Sequence, residues 1–536
     1  MTPLSLLKSS KLHPFVYIVL TWALLITGCQ SDITLSTPAG VIVGNIEEHH
    51  IEFLGIPYAN APEGELRWQP PVSKPPFTEP YLAQKFKAAC PQFAQMNSII
   101  NSDEDCLFLN IWRPLSKTEN LPVMVFLHGG GLATGAGSES RYNGQTLAIN
   151  QDVIVVSVNY RLGYLGFLSL PELTQEQGHS GNYGFLDQNM ALQWVKKNIK
   201  SFGGDPNQVT LFGESAGANS TCLHLASPLS QDLFQNAILQ SQGLYSSCAN
   251  TLASQQESEA LGESFSDILG CQQNTLQCLR DKSIFKMNLT LFTKGFKNGP
   301  IHTSNALPLR ANIDGYFLTQ QPLDIFQQGY VSHKNILLGV NKNEGTLFSS
   351  FDQDIEDENQ YRLALKERYP SKHDQVLGLY PYGFYPDGNQ ALADVLGDET
   401  FVCRSQLLAQ HLVQGGSQVY FYHFTATIDS YMKSVLALFG GNGMDLGTFH
   451  ASEIPFVFGV DSIFGTVGES SQKTMELMQS YWGSFSHYND PNNSQTIYNW
   501  PPYNQASNNV LELNATPSIK NNLKREKCLF WNSRQS

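Results

Sequence analysis

The sequence predicts an α/β fold built on a central, mostly parallel and twisted sheet with helices on both faces, and three observations carry that expectation. Continuous apolar runs recur along the chain, at 123–127, 153–158, 209–212, 336–340 and 419–424, the mark of strands covered on both faces. Helical spacing of apolar residues falls between them, so strand and helix alternate and the sheet is expected to be parallel with helical crossovers. Finally, Val209-Thr-Leu-Phe212 ends abruptly in Gly213-Glu214-Ser215-Ala216-Gly217 and passes at once into a helical pattern.

Taken in order, the first segment has the character of a targeting signal. Lys8 and Lys11 precede an apolar run from Phe15 to Ile26 that is too short to span a bilayer comfortably. It ends in Leu25-Ile26-Thr27-Gly28-Cys29, which resembles a bacterial lipoprotein box. That resemblance implies cleavage before Cys29, a lipid on its thiol, and export to the cell envelope. Gln30 stands where Asp would retain such a protein, so the outer membrane is the expected destination. Residues 1–28 are therefore the expected signal peptide and 29–536 a single domain, since the motifs below run from Gly55 to Cys528 without a break in composition.

Ile51 to Tyr58 alternates like a strand and leads into a proline-rich stretch containing Leu66-Arg67-Trp68. Glu104-Asp-Cys-Leu107 opens another strand, with surface loops between. Val123–Leu127 stops at His128-Gly129-Gly130-Gly131, where three glycines allow close backbone approach. Such N–H groups, unobstructed by side chains, suit the binding of a developing oxyanion. Val153–Asn159 is the next strand, and Phe185–Ile199 a helix ending near Gly203-Gly-Asp-Pro206. Ala237–Gln240 and Asn335–Val340 continue the strands. Cys248 to Leu323 has a mixed helical pattern and is expected to cap the sheet's C-terminal edge. Asp352–Glu358 is an acidic loop, Val419–Phe424 a late strand and Ser471–His487 an amphipathic helix.

Charged residues make up 15% of the chain, against roughly 25% for an average soluble protein, and the net charge is −14. No Lys/Arg run could neutralise phosphates in series, and no glycine-rich loop is followed by Lys-Ser/Thr, so neither nucleic acid nor nucleotide is an expected partner. No cofactor or metal is expected either. Eight cysteines beyond Cys29 suit an oxidising compartment.

The chemistry centres on Ser215. Gly-x-Ser-x-Gly is a weak pattern in a chain with 43 glycines, but here it joins a buried strand to a helix. The turn is tight enough to thrust the hydroxyl clear of the sheet. A serine hydroxyl needs a histidine to take its proton, and the histidine a carboxylate to set its tautomer. Thirteen histidines and many acids are available, and chain order Ser, acid, His, each after a strand, narrows the field to candidates that include Glu344 behind Asn335–Val340 and His450 in the loop after Val419–Phe424. His487, on a helix, reads as structural.

From Gly55 to Cys528 these segments resemble the type-B carboxylesterase and cholinesterase family of α/β-hydrolases. The resemblance rests on Phe53-Leu-Gly-Ile-Pro-Tyr58, Glu104-Asp-Cys-Leu107, His128-Gly-Gly-Gly131, Gly181-Asn-Tyr-Gly184, Phe202-Gly-Gly-Asp-Pro206, Gly213-Glu-Ser-Ala-Gly217 and Gly339-Val-Asn-Lys-Asn-Glu344-Gly345. It implies the α/β-hydrolase fold, with large loop and helical insertions over the C-terminal edge, and a serine esterase acting through an acyl-enzyme. The implied triad is Ser215, Glu344 and His450. The implied oxyanion donors are the N–H groups of Gly130, Gly131 and Ala216, with the Ser241 hydroxyl and Glu214 beside the triad. It also implies disulfides Cys90–Cys106, Cys271–Cys278 and Cys403–Cys528, leaving Cys222 and Cys248 as expected free thiols, and an Arg67–Glu104 ion pair. The loop 91–105 lacks the tryptophan with which cholinesterases hold choline, so a small-molecule ester other than a choline ester is the expected substrate. Two other readings keep the fold: a catalytically silent binding or adhesion module, and an amide or thioester hydrolase on the same triad. All three triad positions and the three glycines argue against the silent module.

Overall fold

The computed structural model describes residues 31–92, 101–116, 119–243, 247–294, 310–350, 352, 354–426, 444–460, 468–493 and 498–533. The signal segment and Cys29 lie outside them. Twelve strands follow one path through the sheet. They are β1 (Ser31–Thr37), β2 (Gly40–Ile46), β3 (His50–Pro57), β4 (Phe108–Pro114), β5 (Leu121–Leu127), β6 (Ile154–Val158), β7 (Gly204–Glu214), β8 (Asn236–Gln240), β9 (Asn335–Asn341), β10 (Gln418–Phe424), β11 (Val510–Leu513) and β12 (Ser518–Lys520). Their order is β1-β2-β3-β4-β6-β5-β7-β8-β9-β10-β11-β12, and the pair Tyr81–Leu82 adds to β2. From β6 to β11 every pairing is parallel; along the path the flanks are antiparallel, and Tyr81–Leu82 runs parallel to β2.

The apolar runs become the central strands because both faces are covered. In β5 alternation sends Val123, Val125 and Leu127 into one core and Met124 and Phe126 into the other. The first core is closed by the helices Tyr183–Asn198, Ala216–Ala226 and Cys403–Gln414, through Phe185, Leu192, Val195, Leu223 and Leu408. The second is closed by Glu469–Tyr488, through Met478, Tyr481, Trp482 and Phe485. Both helices read from the sequence start two residues earlier than expected. The stretch behind Cys248 carries helices at Gln255–Ile268, Thr275–Arg280 and Ile284–Thr293, and a short parallel pair, Ala253–Ser254 with Asn312–Ile313.

The Arg67 guanidinium meets Glu104 at 2.7 and 2.5 Å and donates further bonds to the carbonyls of Leu279, Arg280 and Lys282. It thereby ties the N-terminal region to the helical insertion. Cys90–Cys106, Cys271–Cys278 and Cys403–Cys528 are all bonded. Cys222 and Cys248 are not free thiols: they form a fourth bridge, with Cα atoms 6.2 Å apart. Chain separation hid the pair. Cys222 is carried by the helix after β7 and Cys248 by the chain after β8, and the two meet only because β7 and β8 are neighbours.

Candidate active site

Ser215 sits between the last residue of β7 and the helix Ala216–Ala226 with φ 55° and ψ −120°, a backbone conformation that costs a non-glycine residue about 1–3 kcal/mol. The turn is held by Ser215 N–H donating to Gln240 O (2.9 Å) and Asn219 N–H donating to Ser215 O (3.0 Å). The neighbouring glycine is there for closeness: a Cβ on Gly217 would lie 1.9 Å from the carbonyl oxygen of Leu127. The helix therefore rests directly on the end of β5, whose next residues are the glycine loop.

That loop is held from beneath. The His128 ring stacks on Tyr160 at 4.4 Å, its Nδ1–H donates to Gly129 O (2.8 Å), and the Tyr160 hydroxyl donates to His128 O (2.7 Å). Burial pushes the His128 pKa down to about 4, so the ring is neutral under ordinary conditions. Gly130 and Gly131 have φ of 106° and 64°, conformations that glycine adopts without strain. Among the described residues, the N–H groups of Gly130, Gly131 and Ala216 donate to no protein acceptor.

Glu344 lies in the turn after β9. Its Oε1 accepts from the Ser241 hydroxyl and the Asn341 N–H, both at 2.6 Å, and its Oε2 faces His450 Nδ1 at 2.6 Å. The His450 loop is zipped to that turn: Asn343 N–H donates to Thr448 O (2.9 Å), Thr448 N–H to Asn343 Oδ1 (3.0 Å), and Asn341 Nδ2 to Phe449 O (2.9 Å). Phe401 and Phe348 cover the imidazole at 4.5 and 5.2 Å. The Ser215 hydroxyl has no hydrogen-bond partner among the described residues. His450 Nε2 has none either, although Glu214 Oε1 lies 3.2 Å away, out of line for a hydrogen bond.

The electrostatics are those of a buried histidine among carboxyl groups. Burial alone would lower the His450 pKa, but the charges of Glu214 and Glu344 outweigh it and raise the pKa to about 9. Burial raises Glu214 to about 8, opposed only in part by His450. The two groups face each other across 3.2 Å, so each favours the charged form of the other. Glu453 was missed in the sequence. It is fully buried, accepts from Asn341 Nδ2 (2.5 Å) and Gln240 Nε2 (3.1 Å), and burial raises its pKa. It sits three residues after His450 in the segment that marks the loop, yet only the folded turn brings Asn341 and Gln240 to it. Among the described residues no cluster of His, Cys, Asp or Glu could hold a metal ion.

The model of the carboxylesterase family matches residues 31–531. The chain belongs to the carboxylesterase family. A fumonisin B1 esterase of Sphingopyxis macrogoltabida is 35% identical over 484 residues, which cover 87% of this chain and 84% of that protein. An acetylcholinesterase of Bungarus fasciatus is 31% identical over 547 residues, covering 94% and 87%. Among solved structures, a PNB esterase superposes with a TM-score of 0.77 at 29% identity, covering 93% of this chain and all of the other. A thermophilic PNB esterase reaches 0.78 at 27%, with the same coverage. The fold is thus the α/β-hydrolase fold, and this carboxylesterase is a serine hydrolase of carboxylic esters.

Proposed function

We propose that Ser215, Glu344 and His450 are the catalytic triad of this carboxylesterase, and that the N–H groups of Gly130, Gly131 and Ala216 receive the oxyanion. The observation that carries the reading is the 2.6 Å Glu344–His450 contact, made at the sheet edge where the strained Ser215 is presented. Glu344 holds Nδ1–H, so Nε2 is the basic nitrogen. Nε2 takes the Ser215 proton as Oγ attacks the ester carbonyl, and the three unpaired N–H groups stabilise the tetrahedral oxyanion. The C–O bond to the alcohol breaks, and the alcohol leaves with the proton from Nε2. Water, deprotonated by the same nitrogen, then attacks the acyl-enzyme and frees the acid and Ser215.

Ser215→Ala and His450→Ala each lower kcat by many orders of magnitude, roughly 10⁴-fold or more, and the double variant little further, because a triad acts as a unit. A fluorophosphonate labels Ser215 alone. Wild-type hydrolysis by Ser215→Ala, or a label elsewhere, sinks the assignment and favours a silent binding module.

The substrate is a small carboxylic ester without a choline cation, since the loop 91–105 holds no tryptophan. A panel of chromogenic esters graded in acyl length, with a choline ester included, tests this; preference for the choline ester would overturn it. The mature chain begins at lipidated Cys29 and lies at the outer membrane of a bacterial envelope. Support comes from Lys8, Lys11 and the run into Ile26-Thr-Gly-Cys29. A single Cys-linked lipid group tethers without a spanning helix, and β1 begins two residues later. Mass spectrometry of the mature N-terminus decides it, and a chain starting elsewhere removes the claim.

A further inference from the structure

We propose that Gln92 is a positioning residue for the oxyanion loop, clamping Gly135 through both polar ends of one carboxamide so that the chain at Cys90 sets the place of Gly130 and Gly131. The proposal rests on the assignment of those glycines above.

After Gly131 the chain turns back on itself. The N–H groups of Ala133 and Thr134 both donate to Gly130 O at 3.0 Å, and the returning strand of the turn reaches Gly135. Gly135 lies hard against the outgoing strand: with φ 112°, a Cβ there would come 2.4 Å from His128 Nδ1 and 2.7 Å from Gly129 O. Whatever fixes Gly135 therefore fixes the backbone just ahead of Gly130. Gly135 N–H donates to Gln92 Oε1 at 2.9 Å, and Gln92 Nε2 donates to Gly135 O at 3.1 Å. Among the described residues these are the only hydrogen bonds given to the Gly135 peptide groups. The same Nε2 also donates to Cys90 O (3.1 Å), which orients the amide.

Two residues further on, Gly137 is held by the main body instead: its N–H donates to Asn159 Oδ1 (2.8 Å) and its carbonyl accepts from Ser157 Oγ (2.7 Å). Among the described residues, Gln92 is the side chain that ties Gly135 directly to the chain at the Cys90–Cys106 disulfide. Its own position is set by Cys90, which is bonded to Cys106 with Cα atoms 4.9 Å apart, and by the Ala89 N–H bond to Asn101 O (3.1 Å).

An oxyanion loop displaced by a fraction of an ångström binds the ground-state ester nearly as well but the tetrahedral state less well. The test uses Gln92→Ala and Gln92→Glu in the full-length enzyme, with active sites counted by fluorophosphonate titration. Glutamate keeps the size and the acceptor for Gly135 N–H but loses the donor. Gln92→Ala should lower kcat per titrated site by about 10- to 100-fold while KM moves less than about threefold, the signature of an interaction made in the transition state. A trifluoromethyl ketone, which Ser215 converts to a tetrahedral oxyanion adduct, should lose affinity by the same factor. The matching methyl ketone should stay within about threefold. Gln92→Glu, whose second carboxylate oxygen would face the Gly135 and Cys90 carbonyl oxygens, should show the same split at least as strongly, and carries the test if the alanine variant does not fold. A kcat within about threefold of wild type, or equal weakening of both ketones, overturns the proposal. Failure of the triad assignment would show separately, as wild-type enzyme whose label misses Ser215.

Discussion

Replacing Glu214 by glutamine removes a carboxylate whose Oε1 lies 3.2 Å from His450 Nε2 while keeping its shape. A full charge at that separation in a medium of effective dielectric about 20 contributes about 5 kcal/mol. That corresponds to a ceiling of about 4 pKa units on His450. The effect is smaller because burial raises Glu214 itself to about 8 even against the opposing charge of His450, so the carboxylate acts on His450 fully only above that pH. A fall of about one to two units in the pKa of His450 is the expectation. The sign follows from the charge: Glu214 favours the imidazolium, glutamine does not, and the active base is the neutral ring. The acid limb of kcat/KM should therefore move to lower pH in Glu214→Gln, raising activity at pH 6 relative to pH 8. Initial rates on a neutral chromogenic ester between pH 5 and 9 measure it, with sites counted by titration. An acid limb that stays put, or moves to higher pH, refutes the coupling of Glu214 to His450.

Gly217→Ala puts a methyl group 1.9 Å from Leu127 O, so it should abolish soluble, active protein, whereas Gly378→Ala, where a Cβ meets nothing within 4 Å, should leave yield and activity unchanged. The Cys403–Cys528 bridge spans 125 residues, and the double serine variant should lose stability on the order of 4–5 kcal/mol, read as a lower denaturation midpoint; an unchanged midpoint contradicts it. Non-reducing peptide mapping should recover Cys222 joined to Cys248, with neither alkylated in the native protein. His224 is fully buried between Ser230 Oγ (2.8 Å) and Gln188 Oε1 (3.0 Å), and burial lowers its pKa to about 3. Its unfolded form takes up a proton below about pH 6.5 and its folded form does not, so its stabilisation is complete above pH 6.5 and lost as pH falls toward 3. That amounts to about 2 kcal/mol by pH 5, and His224→Gln should flatten this part of the stability profile; an unchanged slope counts against it.

Local signals in the chain reach as far as one element and its immediate neighbours. The strands at 123–127, 154–158, 209–214, 236–240, 335–341 and 418–424 were legible because a strand buried on both faces must be apolar throughout. The edge strands were not. Ser31–Thr37 reads SDITLST with alternate residues exposed, and Val510–Leu513 has four residues, so neither offers a run long or apolar enough to stand out. The turn at Ser215 was legible for a different reason: strand, Gly-x-Ser-x-Gly and helix occur within one short stretch.

Tertiary structure alone decided what meets across the sheet. Cys222 and Cys248 looked unpaired because nothing near either names its mate, and the parallel packing of β7 beside β8 brings them together. Glu453 acquires its place from Asn341 and Gln240, on two different strands, and Gln92 its partner from a loop 43 positions away. Within single short stretches the chain specifies the sheet's central strands and the strained turn at Ser215. Which carboxyl groups surround His450, and which amide holds the glycine loop, follow from strand order and close packing, because contacts between distant segments leave no periodicity in the chain.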